Sequence, residues 1–133
     1  AIRPEIAIGA DLMAGFPTET EEHHAANLSI IRELDIVHGH IFPFSPRPGT
    51  PAARMPQLDR SLIKERAAEL RAAVSEQRHA WLKQHVGKPQ RVLAEADGSG
   101  YAEDYARVML PEGTTPGTII EITPSELEDN LLR

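Results

Sequence analysis

Apolar residues crowd together at the start of the chain, then recur at three and four positions, and finally alternate with polar ones. The run Ile6-Ala7-Ile8-Gly9-Ala10-Asp11-Leu12-Met13 is almost continuously apolar, the pattern of a parallel-sheet strand covered on both faces. A turn is expected at Ala14-Gly15-Phe16-Pro17. Thr18 stands three positions before Glu21, the spacing of a capping box, and Glu19, Glu21 and Glu22 put negative charge at the positive end of a helix dipole. The spacing predicts a helix to about Leu34 and a second strand from Asp35 to Phe44. Strand, helix and strand then fit the length of one parallel βαβ unit.

Between Phe42 and Pro56 stand the five prolines Pro43, Pro46, Pro48, Pro51 and Pro56, too many for a helix or a central strand, so a stiff loop is predicted. A long helix over 59–86 follows. Asp59 is its cap, Leu58 and Ile63 form a hydrophobic staple, and Ile63, Ala67, Leu70, Val74, Trp81 and His85 fall near one stripe. Gly87 is its stop signal. Beyond it the pattern changes to short strands at Gln90–Ala96, Tyr101–Leu110 and Thr118–Thr123, a spacing that suggests a small barrel. The expected modules are 1–86 and 87–133.

The 133 residues leave room for one domain, or for an incomplete domain with a small module. The net charge of −6 is uneven: residues 1–86 hold 10 basic and 11 acidic groups, and residues 87–133 hold 4 and 9. Bulk electrostatics therefore do not favour a polyanion. No apolar run approaches the ~20 residues of a spanning helix, and no signal-peptide pattern is visible, so no membrane partner and a cytoplasmic location are expected. There is no cysteine, which removes thiol chemistry and any thiolate-held metal from this chain.

Two segments carry candidate chemistry. A strand delivering Gly15 onto a helix start offers free amides to a polar ligand, although every βα unit needs a turn there and the nearby glutamates oppose phosphate. After the second strand, Arg47 lies between Pro46 and Pro48 on a pre-stiffened loop, where it and Thr50 suit a carboxylate or phosphate. His38 and His40 share a strand face, but nothing nearby completes a metal site, and no metal is assigned to this chain. In the last segment Lys88, Arg91 and Arg107, with Tyr101 or Tyr105, are candidates for touching nucleic acid, against a local net charge of −5.

Taken together, D-L-M-A-G-F-P-T-E from Asp11 to Glu19 and F-P-F-S-P-R-P-G-T-P-A-A-R-M from Phe42 to Met55 resemble the radical-SAM methylthiotransferases that modify tRNA, the MiaB-like group. The K-E-R-A-A-E-L-R helix fits as well. Past Gly87, V-L-A-E, Y-A-E-D-Y-A-R-V-M-L and P-G-T-I-I-E-I-T resemble the RNA-binding TRAM barrel that closes those proteins. Within the group the chain is most similar to the MtaB-type branch.

The resemblance implies an α/β fold: the last β/α units of a partial (β/α) radical-SAM barrel, followed by a small all-β, OB-like TRAM barrel. It implies a carboxy-terminal fragment of an enzyme that places a methylthio group on C2 of N6-threonylcarbamoyladenosine in the tRNA anticodon loop. The cofactors implied are S-adenosylmethionine and two [4Fe–4S] clusters held by upstream cysteines, so the fragment alone is expected to be inactive. By the same resemblance Met13, Gly15, Phe16, Glu19, Phe44 and Ser45 bind the cofactor and Arg47 and Thr50 face the substrate, while Lys88, Arg91 and Arg107 remain the substrate-binding candidates read from the residues of the last segment. Strands cut from a barrel leave an open edge and apolar face, so self-association is expected. The alternative is a stand-alone RNA-binding or protein-interaction module without catalysis.

Overall fold

A computed structural model describes Arg3 and residues 5–133. The order is β1 (Ile8–Ala14), α1 (Glu21–Glu33), β2 (Ile36–Pro43), a 3-10 turn (Ala52–Arg54), α2 (Arg60–Lys83), β3 (Gln90–Ala94), β4 (Ser99–Ala102), β5 (Arg107–Met109), β6 (Ile119–Ile122), β7 (Leu127–Glu128) and β8 (Leu131–Leu132). Among the described residues it is a small α/β structure with two α-helices, one parallel and one mixed sheet. One compact unit comprises Ala7–Gln77 and the other is built on Arg78–Arg133. The division falls inside α2 rather than at Gly87, because the last turn of the helix contributes Trp81 and Leu82 to the second core.

In the first unit β1 and β2 pair in parallel, as the βαβ spacing predicts, with Leu12 opposite Ile41 and Met13 opposite Phe42. Ala10, Leu12, Ala14 and Ile41 pack on one side against Leu28 and Ile31 of α1 and Ala67, Leu70, Ala73 and Val74 of α2. Gly39 is required there: a Cβ at that position would lie 2.5 Å from Val74 Cγ2. The expectation that β1 is covered on both faces is corrected. Among the described residues the helices pack on one side of this two-stranded sheet, and Met13 and Phe42 on the other side are 50% and 53% exposed.

The cap of α1 also differs from the sequence reading. Phe16 O accepts from Glu19 N–H at 2.8 Å, so Pro17 and Thr18 belong to a turn, and the helix starts two residues later than Thr18 would place it. Thr20 is the N-cap: its Oγ1 accepts from His23 N–H at 3.3 Å, and its own N–H donates to His23 Nδ1 at 3.3 Å. A histidine fills the place usually taken by Glu or Gln in a capping box. Asp59 caps α2 as expected, its Oδ1 accepting from Ser61 N–H at 2.7 Å. The helix ends at Lys83, before the predicted Val86, because the chain tightens into i→i−3 bonds from Gln84 to Trp81 and from His85 to Leu82.

The second unit holds a six-stranded mixed sheet in the order β6-β3-β4-β5-β8-β7, which among the described residues does not close into a barrel. The strand expected over Tyr101–Leu110 is two strands. Asp104 Oδ1 accepts from Ala106 N–H at 3.1 Å and Tyr105 takes a left-handed φ of 65°, which turns the chain back on itself. The β7–β8 hairpin escaped the sequence reading. Asp129 and Asn130, with φ of 49° and 62°, supply the paired left-handed residues such a tight turn needs.

Candidate functional site

At the carboxyl ends of β1 and β2 an open cleft of about 420 Å³ is lined by Met13, Phe42, Pro43, Phe44, Ser45, Arg47, Thr50 and Ala52. Phe44 N–H donates to Ala14 O at 2.8 Å, which extends the strand pairing to the rim. Phe16 meets Phe44 edge to face, with ring centroids 5.4 Å apart. The structure thus brings together Met13, Phe16, Phe44, Ser45, Arg47 and Thr50, drawn from both sequence motifs.

Thr50 among them, and Glu19 beside them, have inward tasks. Thr50 Oγ1 donates to Arg47 O at 2.8 Å and accepts from Ala53 N–H at 3.3 Å, so the hydroxyl shapes the loop. The Arg47 guanidinium is exposed and has no ion pair among the described residues. Glu19, only 6% exposed, faces Gly15 N–H at 3.0 Å and Arg66 at 2.8 Å. Gly15 is needed less for ligand approach than for packing: it has φ of +81°, and a Cβ there would lie 2.5 Å from Ile63 Cγ1. An apolar and aromatic wall beside one free guanidinium suits a planar ring carrying an anionic group.

Lys88, Arg91 and Arg107 belong to the second unit and form a separate group. Arg91 pairs with Glu103 at 2.6 Å, and Arg107 pairs with Asp97 at 2.6 Å while donating to Ser99 Oγ at 3.1 Å. The charges of Arg91 and Arg107 are locally answered. The strand registers line up Ile119, Leu93, Tyr101 and Arg107 across four strands, and Tyr105 lies 6.4 Å from Tyr101.

The sequence reading missed Arg66, and it placed His85 on the helix stripe without its partners. Arg66 sits on the apolar stripe of α2, three residues after Ile63, and a charge in that register was the available signal. His85, 8% exposed, lies with Nε2 2.6 Å from Asp104 Oδ2 and Nδ1 3.1 Å from Trp81 O. Both ring nitrogens face acceptors, so the arrangement favours the doubly protonated ring. The Asp104 hydrogen bond raises the His85 pKa against the opposing effect of burial. Burial pushes Asp104 up, but hydrogen bonds from His85 and the Ala106 amide outweigh it and hold the carboxyl below its ordinary value.

Comparison with known proteins decides the ancestry. The chain is 38% identical over all 133 residues to the threonylcarbamoyladenosine tRNA methylthiotransferase MtaB of Rickettsia prowazekii, covering 32% of that protein. Over its whole length this chain is similar to MtaB/MiaB tRNA methylthiotransferases. It is also 32% identical to the tRNA-2-methylthio-N(6)-dimethylallyladenosine synthase of Zymomonas mobilis, over 99% of the chain and 31% of that protein. With the synthase of the same name from Aeromonas salmonicida it shares 35% identity, over the whole chain and 30% of that protein. The chain spans about a third of the length of these MtaB/MiaB relatives. No protein-family profile matches it.

Proposed function

We propose that this chain is part of a tRNA methylthiotransferase acting on N6-threonylcarbamoyladenosine in the anticodon loop, in which residues 1–86 form the end of a radical-SAM barrel and residues 87–133 a TRAM-like RNA-binding module. The observation that carries the reading is whole-chain similarity to such enzymes, with both resembling motifs meeting at one cleft. The general behaviour of open α/β sheets supports it, since ligands there bind beyond the carboxyl ends of the strands.

The residues fit S-adenosylmethionine: Phe16, Phe44 and Met13 offer apolar surface to an adenine, and Ser45 and Arg47 offer polar groups at the same rim. Bound there, the cofactor supplies the radical and methyl chemistry. They do not fit an iron–sulfur cluster. The chain has no cysteine, and among the described residues no group of three or more His, Asp or Glu is placed to hold a metal. What this chain contributes is the shape of one wall, exclusion of water by its aromatic rings, and a free cation at Arg47 for an anionic group of substrate or cofactor. Its proposed setting is the cytoplasm, with tRNA as partner.

The test uses the complete gene product in cells lacking the activity. Arg47→Ala should leave the protein folded and soluble but cut the 2-methylthio product in digested tRNA, measured by mass spectrometry. Unchanged product would remove this loop from the site.

A further inference from the structure

We infer that Arg66 is a positioning residue for the β1–α1 loop, acting through Glu19 to set Gly15 and Phe16 against the cleft. The catalytic arm of this inference rests on the function proposed above; the positional arm does not.

Arg66 projects from α2 and is 3% exposed, a place where a guanidinium requires partners. Its Nη1 donates to Glu19 Oε1 at 2.8 Å and to Glu19 O at 3.2 Å, and its Nη2 donates to Glu21. The second carboxylate oxygen of Glu19 accepts from Gly15 N–H at 3.0 Å. One carboxylate therefore joins a helix far along the chain to the first amide after β1. Ile63, one turn earlier on α2, fills the space below Gly15, so α2 grips the loop at two points. The next residue is Phe16, whose ring rests edge-on against Phe44 on the cleft wall.

Stability alone is a weak reason for this arrangement. A buried ion pair often gains nothing over apolar residues of equal volume, and Arg66 Nε is itself buried without a hydrogen bond. What the charge pair adds is direction. A guanidinium nitrogen, Nη1, that holds both the carboxylate and the backbone carbonyl of Glu19 fixes the loop in a way an apolar contact cannot.

The positional arm is read by NMR on the 133-residue chain. In Arg66→Met the Gly15 amide proton should shift upfield as its carboxylate partner is released, and the Phe16–Phe44 ring contact should weaken, with dispersion elsewhere retained. Arg66→Lys, which can still pair with Glu19, should restore both signals. In the complete enzyme Arg66→Met should lower kcat by on the order of 100-fold at saturating tRNA, the scale of a 1 Å misplacement, with rescue by Arg66→Lys. Unchanged Gly15 and Phe16 signals in Arg66→Met would overturn the inference whatever the activity. If that variant does not fold, Glu19→Gln keeps an acceptor for Gly15 while removing the charge opposite Arg66. It should then loosen the ring contact and lower kcat, and wild-type behaviour in both readouts would overturn the inference. An inactive wild-type enzyme would refute the proposed function and leave the NMR arm to decide this one.

Discussion

Gly39 on β2 offers a test in which two opposing effects can be separated. Glycine inside a strand costs roughly 0.5–1 kcal/mol relative to alanine, so Gly39→Ala by itself should stabilise the chain. The structure reverses that expectation. The new methyl would stand 2.5 Å from Val74 Cγ2 and 3.1 Å from Cγ1, where carbon atoms prefer about 3.5–4.0 Å. Val74 is β-branched on a helix, which leaves it essentially one rotamer, so the clash has to be relieved by moving α2 away from the sheet. Overpacking of this kind costs about 1–3 kcal/mol, which exceeds the propensity gain over most of its range. In a Val74→Ala background both offending methyls are gone and only the ordinary 3.4 Å approach to Cβ remains. There Gly39→Ala should stabilise by roughly 0.5–1 kcal/mol. Urea unfolding of the four proteins, followed by far-ultraviolet circular dichroism, measures the cycle, and the sign of the glycine substitution should change between backgrounds. The same stabilisation in both would show that α2 does not approach β2 at Gly39.

Three further outcomes follow from particular contacts. Thr20→Ala should cost about 1 kcal/mol through loss of the α1 cap, whereas Thr18→Ala should be nearly neutral, and equal effects in thermal unfolding would refute the cap assignment. The His85 pKa is raised, so its contribution is full below the ~6.5 of an unfolded histidine and disappears as pH climbs through the higher folded value. The Asp104 carboxyl is lowered, so its contribution is present above the ~3.9 of an unfolded aspartate and disappears as pH falls through the depressed value; melting temperature against pH should lose the alkaline decline in His85→Gln, and an unchanged profile would contradict the pairing. Sedimentation of the 133-residue chain should show concentration-dependent association through the open face of β1 and β2, reduced by Met13→Lys with Phe42→Lys, and a monomer at all concentrations would exclude it.

Much of the local order was written in the sequence, because it depends on neighbours along the chain. The apolar run before Gly15 made a strand, the stripe from Ile63 to Val74 made a helix, and the proline-dense segment beyond Pro43 made neither a strand nor an α-helix. The meeting of Met13, Phe44 and Arg47 at one rim was also legible, since they lie at or just beyond the ends of two strands that a βαβ crossover must set side by side. Tertiary structure alone decided which face of β1 is covered, because that depends on how many helices reach the sheet. It decided that Thr20 rather than Thr18 caps α1, since the turn from Phe16 to Glu19 competes for the same residues. It also decided that Glu19 turns inward to Arg66 and that Arg91 and Arg107 are answered by Glu103 and Asp97, because the partners of a charge are set by distance in space, which a one-dimensional spacing does not encode.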